Sequence, residues 1–153
     1  MRAQMTQDKD ARLADIEAAI KIDPESTEAW QVRAAHYLET GETEKGIADL
    51  KKILAQSGDQ VQVRVGLVRA LAKLEKYDEA LEQLKELQKQ REGAPGIPLL
   101  RAQILTQQKK YDGALEAVDE ALQLDPQNLG AMLMRAEINS QREAWKDAEA
   151  DLN

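Results

Sequence analysis

The chain has 153 residues, no cysteine, no phenylalanine, 3% aromatic residues and a net charge of −7 at pH 7. Alanine, leucine, glutamate, lysine and glutamine dominate, a helical composition with no β-branched or aromatic runs to build an all-β fold. The acidic balance opposes binding to phosphate backbones or anionic lipid, the missing thiols exclude disulfides and thiolate metal sites, and no apolar run approaches a membrane span.

Residues 1–10 contain no apolar stretch of the kind a secretory signal needs, and the sequence assigns no compartment. Met1-Arg2-Ala3-Gln4-Met5 is too short to nucleate a helix alone; by its place in the pattern it is the end of one. Asp10–Ile22 reads as a helix with Leu13, Ile16, Ala19 and Ile20 inward. Asp23-Pro24-Glu25-Ser26 is a stop followed by a cap. Thr27–Thr40 buries Trp30, Ala34 and Tyr37, and Gly41 ends it in the left-handed conformation. Thr43–Gln56 follows with Ile47, Leu50, Ile53 and Leu54 inward, and Ser57-Gly58-Asp59 turns the chain.

Gln60–Leu74 and Tyr77–Arg91 form the next hairpin, with Glu82–Lys85 and Glu86–Lys89 as solvated pairs. Glu92–Pro98 is the single Pro/Gly cluster. The pattern continues unbroken across it, so it reads as an irregular turn, with Pro98 in the first turn of a helix over Gly96–Gln108. From Lys110, Ala114, Val118 and Ala121 recur at four and three and make one helix face. Two of the three are alanine, so another helix approaches closely. Asp125-Pro126 stops this helix and Asn128 caps the next, Asn128–Arg142. A further helix is expected from Trp145, ending about two turns in at Leu152-Asn153.

These elements repeat every 34 residues without insertion. Gly46, Ala80, Ala114 and Ala148 share one phase, and Leu50, Leu84, Val118 and Leu152 share another. In the preceding helices Ala34, Val68, Ala102 and Ala136 coincide, as do Tyr37, Leu71 and Leu105. Tyr77, Tyr111 and Trp145 open successive second helices, and the breakers align as Pro24, Gly58, Glu92 and Pro126. Two helices in each fixed period mean stacked hairpins rather than a closed bundle.

The residues resemble the tetratricopeptide repeat family, through Trp30, Tyr37, Gly46 and Leu50 in one copy, Tyr77 and Ala80 in the next, and Tyr111, Ala114, Ala121 and Asp125-Pro126 in a third. Arginine replaces the family's usual first-helix leucine at Arg33, Arg101 and Arg135, and leucine stays at Leu67. The triplets Leu100-Arg101-Ala102 and Met134-Arg135-Ala136 read as a bacterial-looking variant of the hairpin. The resemblance implies an all-α, right-handed solenoid spanning 1–153. Its divisions are a partial repeat 1–26, repeats 27–60, 61–94 and 95–128, and a partial repeat 129–153. A solenoid's end repeats normally present a polar face, so the ends suggest a fragment of a longer protein, or cover from another chain.

Nothing in the sequence sets up catalysis, a metal site or a cofactor. His36 is the sole histidine, with no serine partner in the pattern. Trp30, Tyr37, Tyr77, Tyr111 and Trp145 sit at repeat-locked positions, which makes them core rather than stacking platforms for bases. No nucleic-acid or membrane partner is expected.

The expected function is non-enzymatic protein binding. In the resembling family the inner face of each first helix holds an extended peptide or partner helix. Here that face gives Gln31, Val65, Leu99 and Leu133, then Ala35, Arg69, Gln103 and Glu137, then Glu39, Lys73, Gln107 and Gln141. Val65, Leu99 and Leu133 make an apolar stripe flanked by amides; the competing role for them is packing between first helices. The family's carboxylate clamp is absent, since the matching places hold Gln31, Ala35 and Gly66, then Val65, Arg69 and Leu100. The alternative function is end-to-end self-association as a structural linker. Leu99→Glu is expected to weaken a partner at constant helicity.

Overall fold

The computed structural model describes the backbone of residues 2–58 and 60–151 and the side chains of residues 8–58 and 60–143. Eight α-helices account for nearly all of the described residues. They divide into two compact units, Met1–Lys76 and Tyr77–Asn153.

The first unit contains α1 (Arg2–Ile22), α2 (Thr27–Thr40), α3 (Thr43–Ser57) and α4 (Val61–Lys73). Each packs on the next, most extensively α2 on α3. The Ser26 hydroxyl accepts from the Ala29 N–H at 3.3 Å and starts α2. The Trp30 indole N–H donates to the Pro24 carbonyl at 2.9 Å, which ties the helix to the preceding turn. Gly41, at φ 88°, ends α2 in the left-handed region, where a side chain is strained. Gly46 is needed for another reason. A Cβ there would lie 3.2 Å from the Ala34 carbonyl oxygen and 2.9 Å from the Leu38 side chain, so α2 and α3 are at backbone contact.

The second unit contains α5 (Tyr77–Gln90), α6 (Gly96–Gln107), α7 (Tyr111–Leu124) and α8 (Leu129–Asp151), again each against the next. Its core is small-residue packing: Ala102, Ala114, Ala117, Val118, Ala121, Ala131 and Ile138 are buried in one cluster. Alanine at these spacings lets the helices approach closely, and any larger side chain would have to displace a backbone. The Asn128 side-chain carbonyl accepts from the Ala131 N–H at 3.0 Å and caps α8.

The repeat extends to the turns. Lys76 N–H donates to the Leu71 carbonyl and Lys110 N–H to the Leu105 carbonyl, both at 2.9 Å. The residues between, Glu75 and Lys109, take positive φ of 57° and 59° without being glycine. The same hydrogen-bonded helix end is thus built twice, 34 residues apart.

Several expectations need correction. α1 runs unbroken from Arg2 rather than starting at Asp10, and Ala19 is exposed. Its main neighbour is α2, and among the described residues its buried stripe is Ile16 and Ile20, with Leu13 half-buried. The break before Trp145 is absent, because α8 continues to Asp151. Gln141-Arg142-Glu143-Ala144 consists of good helix formers. Ala136 is exposed, unlike its phase mates Ala34, Val68 and Ala102. Pro126, expected in the repeat core, is exposed; it ends α7 without packing. Tyr77 and Tyr111 are half-buried, while Trp30, Tyr37, Gly46, Ala80 and Ala114 are buried. The side chains of Trp145 and Ala148 lie outside the described residues.

Candidate functional site

The arginines in the leucine position each meet an acid on a second-type helix. Arg33 on α2 donates two hydrogen bonds to Asp49 on α3, both at 2.8 Å. Arg101 on α6 pairs with Glu120 on α7, and Arg135 on α8 with Asp119 on α7. Leu67, the one leucine at this phase, is buried instead. The Arg33 pair is largely withdrawn from water, with Asp49 5% exposed at its side chain. The hydrogen bonds that Arg33 donates to Asp49 outweigh burial and raise its guanidinium above its already high value. Its carbon lies 4.4 Å from the Trp30 ring centre, and the Lys52 ammonium lies 3.5 Å from the same ring. Trp30 is therefore a structural residue held between two cations.

Of the inner-face residues in the first unit, Gln31 is exposed and donates its amide to the Gln60 side chain at 3.0 Å. Val65 is half-buried and Arg69 exposed, both on α4. In the second unit, Leu99 is half-buried and packs onto the alanine cluster. Leu133 is 63% exposed. Of the expected stripe Val65, Leu99 and Leu133, the first two are half-buried, Leu99 against the alanine cluster, and Leu133 is exposed.

A cavity of about 280 Å³ opens between α6 and α8, lined by Gln103, Thr106, Gln107, Met134, Glu137, Ile138 and Gln141. It brings together Gln103 with Glu137 and Gln107 with Gln141, the second and third turns of the inner face. Met134, Ile138 and Thr106 were not foreseen. Met134 and Ile138 are each one position beyond an expected inner-face residue, and the four-residue spacing between them was the available signal. Met134 also packs on the alanine cluster beside buried Ile138, so the cavity floor is apolar and continuous with the core. The rim is amide and carboxylate. Gln141 donates its side-chain N–H to Glu137 at 3.2 Å, which leaves the Gln103 and Gln107 side chains at the opposite wall. The Thr106 hydroxyl is turned to the Ala102 carbonyl at 2.8 Å.

Such a site can hold an apolar side chain and hydrogen-bond a peptide backbone. His36 is buried beside Tyr37, its ring centre 6.1 Å from the tyrosine ring. Among the described residues no group of three or more His, Cys, Asp or Glu could hold a metal ion, and no helix is long and apolar enough to cross a membrane.

A family model described as "Tetratricopeptide repeat" matches residues 65–129 and 99–153. No curated protein is similar enough to count as a relative. A crystal structure of MamA matches with a TM-score of 0.69 at 16% identity, over 99% of this chain and 95% of that one. YrrB, a TPR protein with an unusual peptide-binding site, matches with a TM-score of 0.67 at 18% identity, over 92% and 72%. The first TPR of Spaghetti (RPAP3), bound to the HSP90 peptide SRMEEVD, matches with a TM-score of 0.64 at 15% identity, over 78% and 94%. At these identities the likeness is one of fold: all-α, in tandem helix hairpins.

Proposed function

Because the chain belongs to the tetratricopeptide repeat family, we propose that it is a non-catalytic protein-binding scaffold whose α6–α8 cavity receives an extended peptide. The observation that carries this reading is the cavity's composition. An apolar floor at Met134 and Ile138 meets a rim of Gln103, Gln107, Glu137 and Gln141. The floor takes one apolar side chain. The rim amides donate and accept, which suits a peptide main chain, since its N–H and C=O groups need partners when covered.

Glu137 and the net charge of −7 favour a neutral or basic segment over an acidic one. Two TPR neighbours are described with peptides or peptide sites, which supports the class of ligand and says nothing of its sequence. Gln31, Val65 and Arg69 on the first unit are proposed as a separate inner face of the same kind.

The experiment is selection of peptides from a displayed random library on the immobilised chain. Affinities are then measured for Gln103→Ala, Glu137→Lys and Leu133→Glu. Leu133→Glu replaces Leu99→Glu as the stripe test, because Leu99 is partly core and its loss would confound binding with stability. Selected peptides are expected to carry an apolar anchor beside basic residues. Glu137→Lys is expected to weaken them by about tenfold or more, equivalent to ~1.4 kcal/mol. Peptides that bind all three variants as tightly as the parent contradict the assignment.

A further inference from the structure

The floor of the α6–α8 cavity carries a chemistry that peptide binding does not use. Cysteine is absent, so the four methionines hold all the sulfur in the chain. One of them, Met134, lines the cavity beside Ile138 and packs on the alanine cluster. Every other lining side chain is an amide, a hydroxyl, a carboxylate or a branched alkyl group. An oxidant entering there meets one reactive atom, the Met134 thioether sulfur. Entry is open: Met134 is half-buried rather than sealed, and a cavity of about 280 Å³ is many times the ~30 Å³ that one water occupies in the liquid. Hydrogen peroxide is little larger than water.

The lining amides decide what oxidation does. A sulfoxide is polar, and one buried without a partner would destabilise the alanine core. Gln103 and Gln107 on α6 line the same cavity, and each side-chain amide has two N–H donors. Gln141 is engaged with Glu137, and the Thr106 hydroxyl with the Ala102 carbonyl, so the donors come from α6. Paired with them, the sulfoxide oxygen stands in the space that an apolar side chain would fill. A seated apolar anchor would strip the oxygen of its partners, which makes seating unfavourable.

We infer that Met134 is an oxidation switch on the peptide site: its sulfoxide closes the α6–α8 cavity by pairing with Gln103 and Gln107, and reduction reopens it. The inference rests on the cavity being the binding site. One oxygen atom passes from a peroxide to the sulfur, which gives up two electrons, and water leaves. In the reverse step two thiols of a reductase supply two electrons and two protons, the oxygen departs as water and a disulfide forms. Met132 is the internal control. It lies about 200° round α8 from Met134, is 41% exposed and does not line the cavity.

The test uses the whole chain carrying Met132→Leu, isotope-labelled, before and after treatment with hydrogen peroxide. The probe is N-acetyl-leucine amide, which has one apolar side chain and peptide-like amides, titrated by NMR. Peptide mass mapping is expected to find one added oxygen on Met134. Without the probe, the Gln103 and Gln107 side-chain amides should shift on oxidation. Oxidation should weaken the probe by roughly tenfold or more at unchanged helicity. Both methionine sulfoxide reductases, one for each sulfoxide epimer, should restore binding. Adding Met134→Leu, which keeps volume and apolar character, should give binding that peroxide leaves unchanged. Four results overturn the inference: Met134 spared while Met1 and Met5 gain oxygen, unmoved Gln103 and Gln107 amides, equal probe affinity in both forms, or loss of helicity on oxidation. A reduced chain that does not bind the probe overturns the cavity reading itself, and the switch with it.

Discussion

Arg33 stands where the repeat carries leucine at Leu67, and Asp49 makes that substitution tolerable. Two short hydrogen bonds, stacking over Trp30 and near-complete burial of the carboxylate fix one arrangement of α2 on α3. Removing one partner leaves the other charge buried and unpaired, which costs about 3–5 kcal/mol. Asp49→Ala is therefore expected to lower the urea midpoint sharply. The double variant Arg33→Leu/Asp49→Ala, which makes the site apolar like Leu67, should recover most of the loss. A double variant no more stable than Asp49→Ala would show that the pair is not what the site requires.

On the surface the effects are smaller and have a definite sign. A hydrogen bond from Lys85 holds the Glu82 carboxyl below the usual glutamate range, and the Lys85 charge adds to it. A depressed folded-state value means the favourable contribution is present above the unfolded value and fades as pH falls through the folded one. By carboxyl NMR titration, Glu82 should have a midpoint below that of an unpaired glutamate, and Lys85→Ala should return it to the ordinary range. An unchanged midpoint in Lys85→Ala would assign the shift to another cause.

Helix by helix, the structure follows how closely backbones approach. Ala114 is fully buried on α7 in a cluster with four other alanines. Ala114→Trp is expected to unfold the second unit or lower its melting temperature by many degrees, since overpacking costs about 1–3 kcal/mol even for added methylenes. A normal melting curve would contradict close approach. The helix ends show the opposite economy of residue type. Glu75 and Lys109 adopt left-handed backbone because their turns are hydrogen-bonded and a second helix follows. Glu143, with the same phase, stays helical.

Across the molecule, the hairpin elements and their limits were legible because breakers and small residues recur at one spacing. Ser26, Gly41, Asn128 and Pro98 mark helix starts and stops through local chemistry, which a sequence displays directly. Three things were not legible. The continuation of α1 and α8 is one, since phase marks where a turn falls in the repeat and not whether the chain takes it. Pro126 has the family's position but stays exposed, since ending a helix does not require packing. Leu99 and Leu133 share a phase and differ in burial, because Leu99 packs against the alanine cluster and Leu133 does not. For the candidate site, Gln103, Gln107, Glu137 and Gln141 follow from the inner-face spacing. Met134 and Ile138 depend on how far α6 stands from α8, a tertiary quantity. Binding itself is a difference in free energy between covered and open states, and it is read in solution.

The most direct measurement is an NMR titration of the isotope-labelled chain with a library-selected peptide, following side-chain amides. Gln103, Gln107 and Gln141 are expected to shift together with the Met134 methyl, and Glu137→Lys is expected to abolish those shifts. Saturable binding that leaves all four unmoved would contradict it.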